Sequence, residues 1–170
     1  MLIKEIQLGK SVSDVCEALL EDLNYDYNLL EIDELVEVVK YIVATNKPDL
    51  RFAVELKPWS CNIIALNGNF NVPVNYWDDQ YSEAKDEVHG DCEFLNSVVD
   101  KLFDKKRKKP RPKISQKEYA RKQCCPYCLS KKDFVELDES TYSNKIEMGC
   151  KKCGETWDEK TKKVVVGFSN

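Results

Sequence analysis

Long apolar runs are missing from this 170-residue chain, so no segment matches the roughly 20 consecutive apolar residues of a membrane-spanning helix. Histidine is almost missing too: His89, in His89-Gly-Asp-Cys92, is the only one. A Cys–His nucleophilic pair would have to use Cys61 or Cys92, and neither lies in a recognisable nucleophile motif. An exposed histidine in an acidic loop is the expectation there. The first eight residues carry Glu5 and lack the long apolar centre and cleavage site of a secretory signal, so a cytoplasmic protein is expected. No internal repeat is visible. Disulfides are not expected in that compartment, although cysteine is plentiful at eight residues.

Four of those cysteines have metal-site spacing. Cys125-Pro-Tyr-Cys128 and Cys150-Lys-Lys-Cys153 are two C-x-x-C pairs separated by 21 residues. Each pair can form a tight turn that brings two sulfurs to one tetrahedral zinc at about 2.3 Å, and a hairpin between them returns the second pair to the first. Four cysteines leave no coordination position for water, so one structural Zn2+ is expected. Cys124 could replace Cys125, but only Cys125 gives both halves the same spacing.

Charge divides the chain. Residues 1–100 hold 20 acidic and 7 basic side chains, a balance of −13; residues 101–170 hold 19 basic and 10 acidic, a balance of +9. The positive charge concentrates between Lys101 and Lys122, with 11 cations against Asp104 and Glu118. This asymmetry predicts an acidic body at 1–104, a basic proline-containing hinge at 105–122, and a zinc module at 123–170.

The acidic body reads as α+β in the order β-α-α-β-β-β-α. Leu2, Ile3, Ile6 and Leu8 suit a short first strand. Val12, Val15, Cys16, Leu19, Leu20 and Leu23 share a helical face, with Ser11 or Ser13 as cap and Asp14 in a capping-box position. A second helix is expected from Ile32 to Thr45. Phe52, Val54 and Leu56 then alternate with Arg51, Ala53, Glu55 and Lys57, as in a half-buried strand. Asn67-Gly68 signals a tight hairpin between two further strands, and Pro73 places the last of them at an edge. After an acidic stretch at 78–91, Phe94, Leu95, Val98, Leu102 and Phe103 share a helical face.

In the carboxy-terminal part, Ser115 and Glu118 form a capping box ahead of Tyr119. Residues 133–137 and 142–148 read as strands between the ligand pairs. Trp157 is expected as an aromatic plug and Val164 to Phe168 as a third strand. With the short helix before C-P-x-C, and C-x-x-C-G followed by a tryptophan and an aromatic strand, residues 114–170 resemble the zinc ribbon common in small phage-encoded proteins. The resemblance departs at Leu129, where a glycine is usual, and it does not extend to the acidic body.

Other features carry competing readings. Pro48-Asp49 followed by Glu55-Leu56-Lys57 has the letters of a Mg2+ nuclease signature, but Asp49 and Glu55 are too close in sequence for two strands and a turn. Trp59, Tyr76, Trp77 and Tyr81 suit hairpin packing or an interface. The hinge cations Lys105, Lys106, Arg107, Lys108, Lys109 and Arg111 suit nucleic-acid contact, or a solvated linker against the acidic body.

The expected function is therefore a non-enzymatic, zinc-binding interaction protein of phage origin. It would bind a host protein that presents a basic surface and belongs to nucleic-acid metabolism or defence. A direct DNA- or RNA-binding regulator is the main alternative, and a Mg2+-dependent nuclease the distant one.

Overall fold

The computed structural model describes residues 4, 6, 8–23, 32–57, 60–74, 81–140 and 145–160. The fold is α+β, with four helices and two three-stranded antiparallel sheets among these residues. The order is α1 (Val12–Leu23), α2 (Ile32–Thr45), β1 (Phe52–Lys57), β2 (Ser60–Ala65), β3 (Asn71–Val74) and α3 (Tyr81–Leu102). Then follow α4 (Gln116–Lys122), β4 (Phe134–Ser140), β5 (Lys145–Cys150) and β6 (Thr156–Lys160). No helix among the described residues is long and apolar enough to cross a membrane.

The amino terminus departs from the expected strand. Lys4 and Ile6 are helical, and the Leu8 N–H donates to the Lys4 carbonyl at 2.9 Å. The alternation there is imperfect, and a local i to i−4 bond needs no sheet partner. In α1, Ser11 and Asp14 form the reciprocal cap: the Asp14 N–H donates to Ser11 Oγ at 3.1 Å, and the Ser11 N–H donates to Asp14 Oδ2 at 3.2 Å. Val15, Cys16, Leu19 and Leu20 of α1 meet Leu35, Val38, Val39 and Ile42 of α2 in the main core.

The first sheet has the order β1-β2-β3, with Pro73 on the edge strand β3. The Asn67-Gly68 turn is wider than expected. Ala65 N–H bonds the Phe70 carbonyl at 2.9 Å, and neither Asn67 nor Gly68 has a positive φ. Close approach explains the glycine instead, because a β-carbon on Gly68 would collide with the Tyr41 hydroxyl. Asn67 holds the loop: its Oδ1 accepts from the Arg51 N–H at 3.0 Å, and its Nδ2 donates to the Asp49 carbonyl at 2.8 Å.

Both faces of this sheet are covered. Phe52, Val54 and Ile63 face the main core, whereas Ala53, Leu66 and the partly buried Ile64 pack against Leu137 and Val135 of the second sheet. The face containing Arg51 and Ala53, read from the sequence as polar, is thus buried at its start and opens to solvent only at Lys57. On the unpaired side of β1, Asn96 of α3 substitutes for a strand. Its Oδ1 accepts from the Phe52 N–H at 2.9 Å and its Nδ2 donates to the Phe52 carbonyl at 3.1 Å. An edge that would otherwise present unpaired backbone groups is closed at this point. Helix α3 also begins earlier than the apolar pattern implied, by Tyr81, so His89 is half-buried in a helix and not in a loop.

The second sheet has the order β4-β5-β6. Its register shifts between Glu136 and Asp138. That irregularity lets adjacent residues serve the same face: Leu137 is buried against Leu66, and Asp138 pairs with Lys85 of α3 at 2.7 Å. The opposite face carries Phe134 and Trp157 edge-to-face at 6.1 Å, with Tyr119 of α4 against Trp157 at the same separation. Thr156–Lys160 forms the third strand, and residues 164–168, expected in that role, lie outside the described residues. So do Trp59, Tyr76 and Trp77, leaving their hairpin-or-interface readings outside the description.

Candidate metal centre

Two backbone turns of matching design present the four cysteines. In the first, the Leu129 N–H donates to the Cys125 carbonyl at 2.9 Å and the Cys125 N–H to the Ser130 carbonyl at 2.8 Å. In the second, the Gly154 N–H donates to the Cys150 carbonyl at 2.8 Å and the Cys150 N–H to the Glu155 carbonyl at 2.9 Å. Each turn ends in a left-handed residue: Gly154 at φ 74° and Leu129 at φ 64°. Leu129 therefore keeps the shape that glycine would give, despite the steric cost of a β-carbon there.

The pairing of β4 with β5 sets Phe134 opposite Cys150, which carries the second turn back beside the first. The Sγ atoms of Cys125, Cys128, Cys150 and Cys153 all lie within 4.8 Å of one another. Cys125 and Cys153 sulfurs are 3.7 Å apart, and those of Cys128 and Cys150 are 3.6 Å apart. A tetrahedron with 2.3 Å metal–sulfur bonds has sulfur–sulfur edges of about 3.8 Å, so the cluster fits one ion. Cys124 is buried but belongs to no such group.

The thiol environment favours a cation at the centre. Burial pushes the Cys150 thiol up to about 11, and burial together with bonds to Cys150 and Cys125 pushes Cys153 up further. Burial also opposes ionisation of Cys128, but bonds from the Ser130 N–H and neighbouring thiols outweigh it and bring that thiol below its ordinary value. Crowded, partly desolvated thiolates need positive charge to coexist, which a divalent ion supplies.

Buried polar contacts join the metal loops to the acidic body, and no sequence motif marks them. Gly154 lies 3.3 Å from Arg51 and Asn67 atoms, measured from where its β-carbon would be. Arg51 is 3% exposed, and its Nη2 donates to Asp100 Oδ1 at 3.0 Å. Glu155, next to the second turn, is 5% exposed and ion-paired with Arg107. Arg107, one of the hinge cations suited to nucleic-acid contact or to a linker against the acidic body, is thus held by an ion pair while its side chain stays partly exposed. Burial first, and then repulsion from Arg51, lowers its affinity for a proton. No spacing rule links residues 51, 100, 107 and 155; only the packing of β1 against the second sheet unites them.

The other candidate residues stay apart from this centre. Lys57 pairs with Glu55 at 3.1 Å, and the only metal-compatible group among the described residues is the cysteine cluster. Cys61 and Cys92 are buried thiols; burial raises both, Cys92 to about 12, which disfavours a nucleophilic thiolate. The hinge lysines Lys105, Lys106, Lys108 and Lys109 and Arg111 are exposed. In comparisons with family models, curated proteins and solved structures, nothing matches the chain.

Proposed function

We propose that the chain is a non-enzymatic zinc-binding interaction protein in which Cys125, Cys128, Cys150 and Cys153 hold one structural Zn2+. The observation that carries this reading is the set of four sulfurs within 4.8 Å, placed by two backbone turns of the same design. Four thiolates are a donor set suited to zinc and leave no site for substrate. The ion's role would be to hold two loops that do not otherwise share a hydrogen-bonded ladder.

For the partner, we favour a protein of a phage-infected host that presents a basic surface and handles nucleic acid. The outer faces of α1 and α2 support this choice: Glu17, Glu21, Asp22, Asp33, Glu34 and Glu37 are all exposed. Complementary potentials accelerate encounter and set orientation more than they add affinity. The ribbon would supply a second contact.

Metal analysis of freshly purified protein should give one zinc per chain, lost in both Cys125→Ser and Cys150→Ser. Charge reversal at Glu34 and Glu37 should weaken capture of the basic partner while zinc content stays unchanged. Zinc-free wild-type protein, or zinc retained by both serine variants, would end the metal reading. Capture insensitive to the acidic face would end the partner reading alone.

A further inference from the structure

The basic strap does not hang free between two parts; it is pinned at both ends beside the two metal loops. At one end Arg107 is ion-paired with Glu155, the residue whose carbonyl accepts from Cys150. At the other, the Lys113 N–H donates to the carbonyl of Pro126, inside the first cysteine turn, at 2.8 Å. Residues 107–113 therefore run from the second loop to the first, a path of at most about 20 Å. Lys108, Lys109 and Arg111 are exposed along it.

A second group of cations joins them from the ribbon. The Lys151 N–H donates to the Asp133 carbonyl at 2.5 Å, which brings Lys151 and Lys152 of the second turn beside Lys131 and Lys132. All four of these lysines are exposed. Three carboxylates act on these groups: Glu155 is buried and taken by Arg107, Asp133 is exposed and bonded by Ser130 Oγ, and Glu147 of β5 interacts with Lys109. A zinc held by four thiolates would carry a net charge of about −2, which two of these cations offset. With Asp133 and Glu147 counted as well, positive charge remains in excess around the two metal loops.

We infer that this surface, formed by the strap lysines and the four loop lysines Lys131, Lys132, Lys151 and Lys152, binds the phosphate backbone of a nucleic acid without regard to sequence. A cationic path of at most about 20 Å spans up to about six phosphates of one duplex strand at 3.4 Å each. Lysine ammonium groups neutralise phosphate as point charges and require no base contact. An anionic membrane is the less favoured target, because Leu129, 44% exposed beside the first turn, is the one large exposed hydrophobic residue at this end among the described residues and polybasic surfaces anchor stably only with a second apolar signal. The inference rests on the zinc reading only in that the ion would hold the two loops side by side.

The test uses the full chain and fluorescent random-sequence DNA and RNA, single- and double-stranded, titrated at several salt concentrations. Zinc content and circular dichroism are measured on the same samples, so disruption of the metal centre is recognised independently of binding. Wild type should bind with affinity falling steeply as salt rises. The quadruple variant K131Q/K132Q/K151Q/K152Q should flatten the log–log slope by about 0.9 for each phosphate no longer neutralised, up to about 3.6. A second variant, K108Q/K109Q/R111Q, should flatten it independently, and Lys40→Gln on α2 should leave it unchanged. Absence of nucleic-acid binding at low salt, binding only to anionic vesicles, or a slope unaltered in both folded multiple variants would overturn the proposal.

Discussion

Gly149 backs directly onto Leu66: a β-carbon on Gly149 would stand 2.7 Å from Leu66 Cδ2 and 3.1 Å from Leu137 Cδ1. The two sheets meet here with no room for a methyl group. Leu66 is 2% exposed and Leu137 1% exposed, so this small core has the packing of an interior.

The first prediction follows from that approach of the two sheets. Leu66→Ala should destabilise the protein by roughly 2–5 kcal/mol, the range for a buried leucine deleted from a close-packed site. Gly149→Ala should also destabilise it, through overpacking. Chemical denaturation followed by both far-UV dichroism and tryptophan fluorescence should show one shared transition for wild type. If Leu66→Ala leaves the midpoint unmoved, the two sheets do not pack in solution as described.

Leu129 offers a test of opposite sign. It has φ 64°, a region where a β-carbon costs roughly 1–2 kcal/mol, and its side chain is substantially exposed, so its removal sacrifices little packing. Leu129→Gly should therefore stabilise the zinc-loaded protein by about 1 kcal/mol, after allowance for glycine's greater freedom when unfolded. Thermal melts of the two zinc-loaded proteins decide it, and a lower melting temperature in the variant would contradict the turn geometry.

Much of the architecture could be read locally because its causes are local. The caps at Ser11 and Ser115, the helical stripes of α1 and α2, and the C-x-x-C turns each depend on residues three or four positions apart, and all appear in the structure. What escaped the sequence is non-local. Arg51 suits a solvated strand face by its alternation alone, yet the second sheet covers it and pairs the neighbouring Ala53 with Leu66. Likewise Arg107 looks like any other cation in its run, and only Glu155, 48 positions away, sets it apart by holding it. The early start of α3 is hidden because its first turns carry Glu83, Asp86 and Glu87 outward, and few apolar positions mark a period.

A pH test concerns Glu147. It sits between Asp138 on β4 and Asp158 on β6, directly opposite each in register. Burial raises its pKa first; His89 of α3 and Lys109 of the strap pull it down, and the two aspartates push it up. A carboxyl raised on folding is better tolerated neutral than charged. Its unfavourable effect is therefore absent well below the ordinary carboxylate pKa, and grows as pH rises through the interval up to the folded value. Glu147→Gln should raise the melting temperature at pH 7 and give a smaller gain near pH 4. An equal gain at both pH values would mean that the charge is not responsible.

The Arg107–Glu155 pair gives the sharpest test of how the strap is held. Glu155 is 5% exposed, one of its oxygens pairs with Arg107, and the other is buried with no partner among the described groups. Removing the guanidinium leaves a buried acceptor unsatisfied, which costs about 1–3 kcal/mol. Arg107→Gln alone should destabilise by that amount. Glu155→Gln alone should cost less, because Arg107 belongs to an exposed strap and can turn its charge to water. The double variant should recover part of the first loss, giving a coupling of about 0.5–3 kcal/mol in a double-mutant cycle. Limited trypsin digestion supplies a second readout, since release of the strap in Arg107→Gln should speed cleavage at Lys105, Lys106 and Lys108. Strictly additive energies with unchanged cleavage would mean that the ion pair does not hold the strap against the second metal loop.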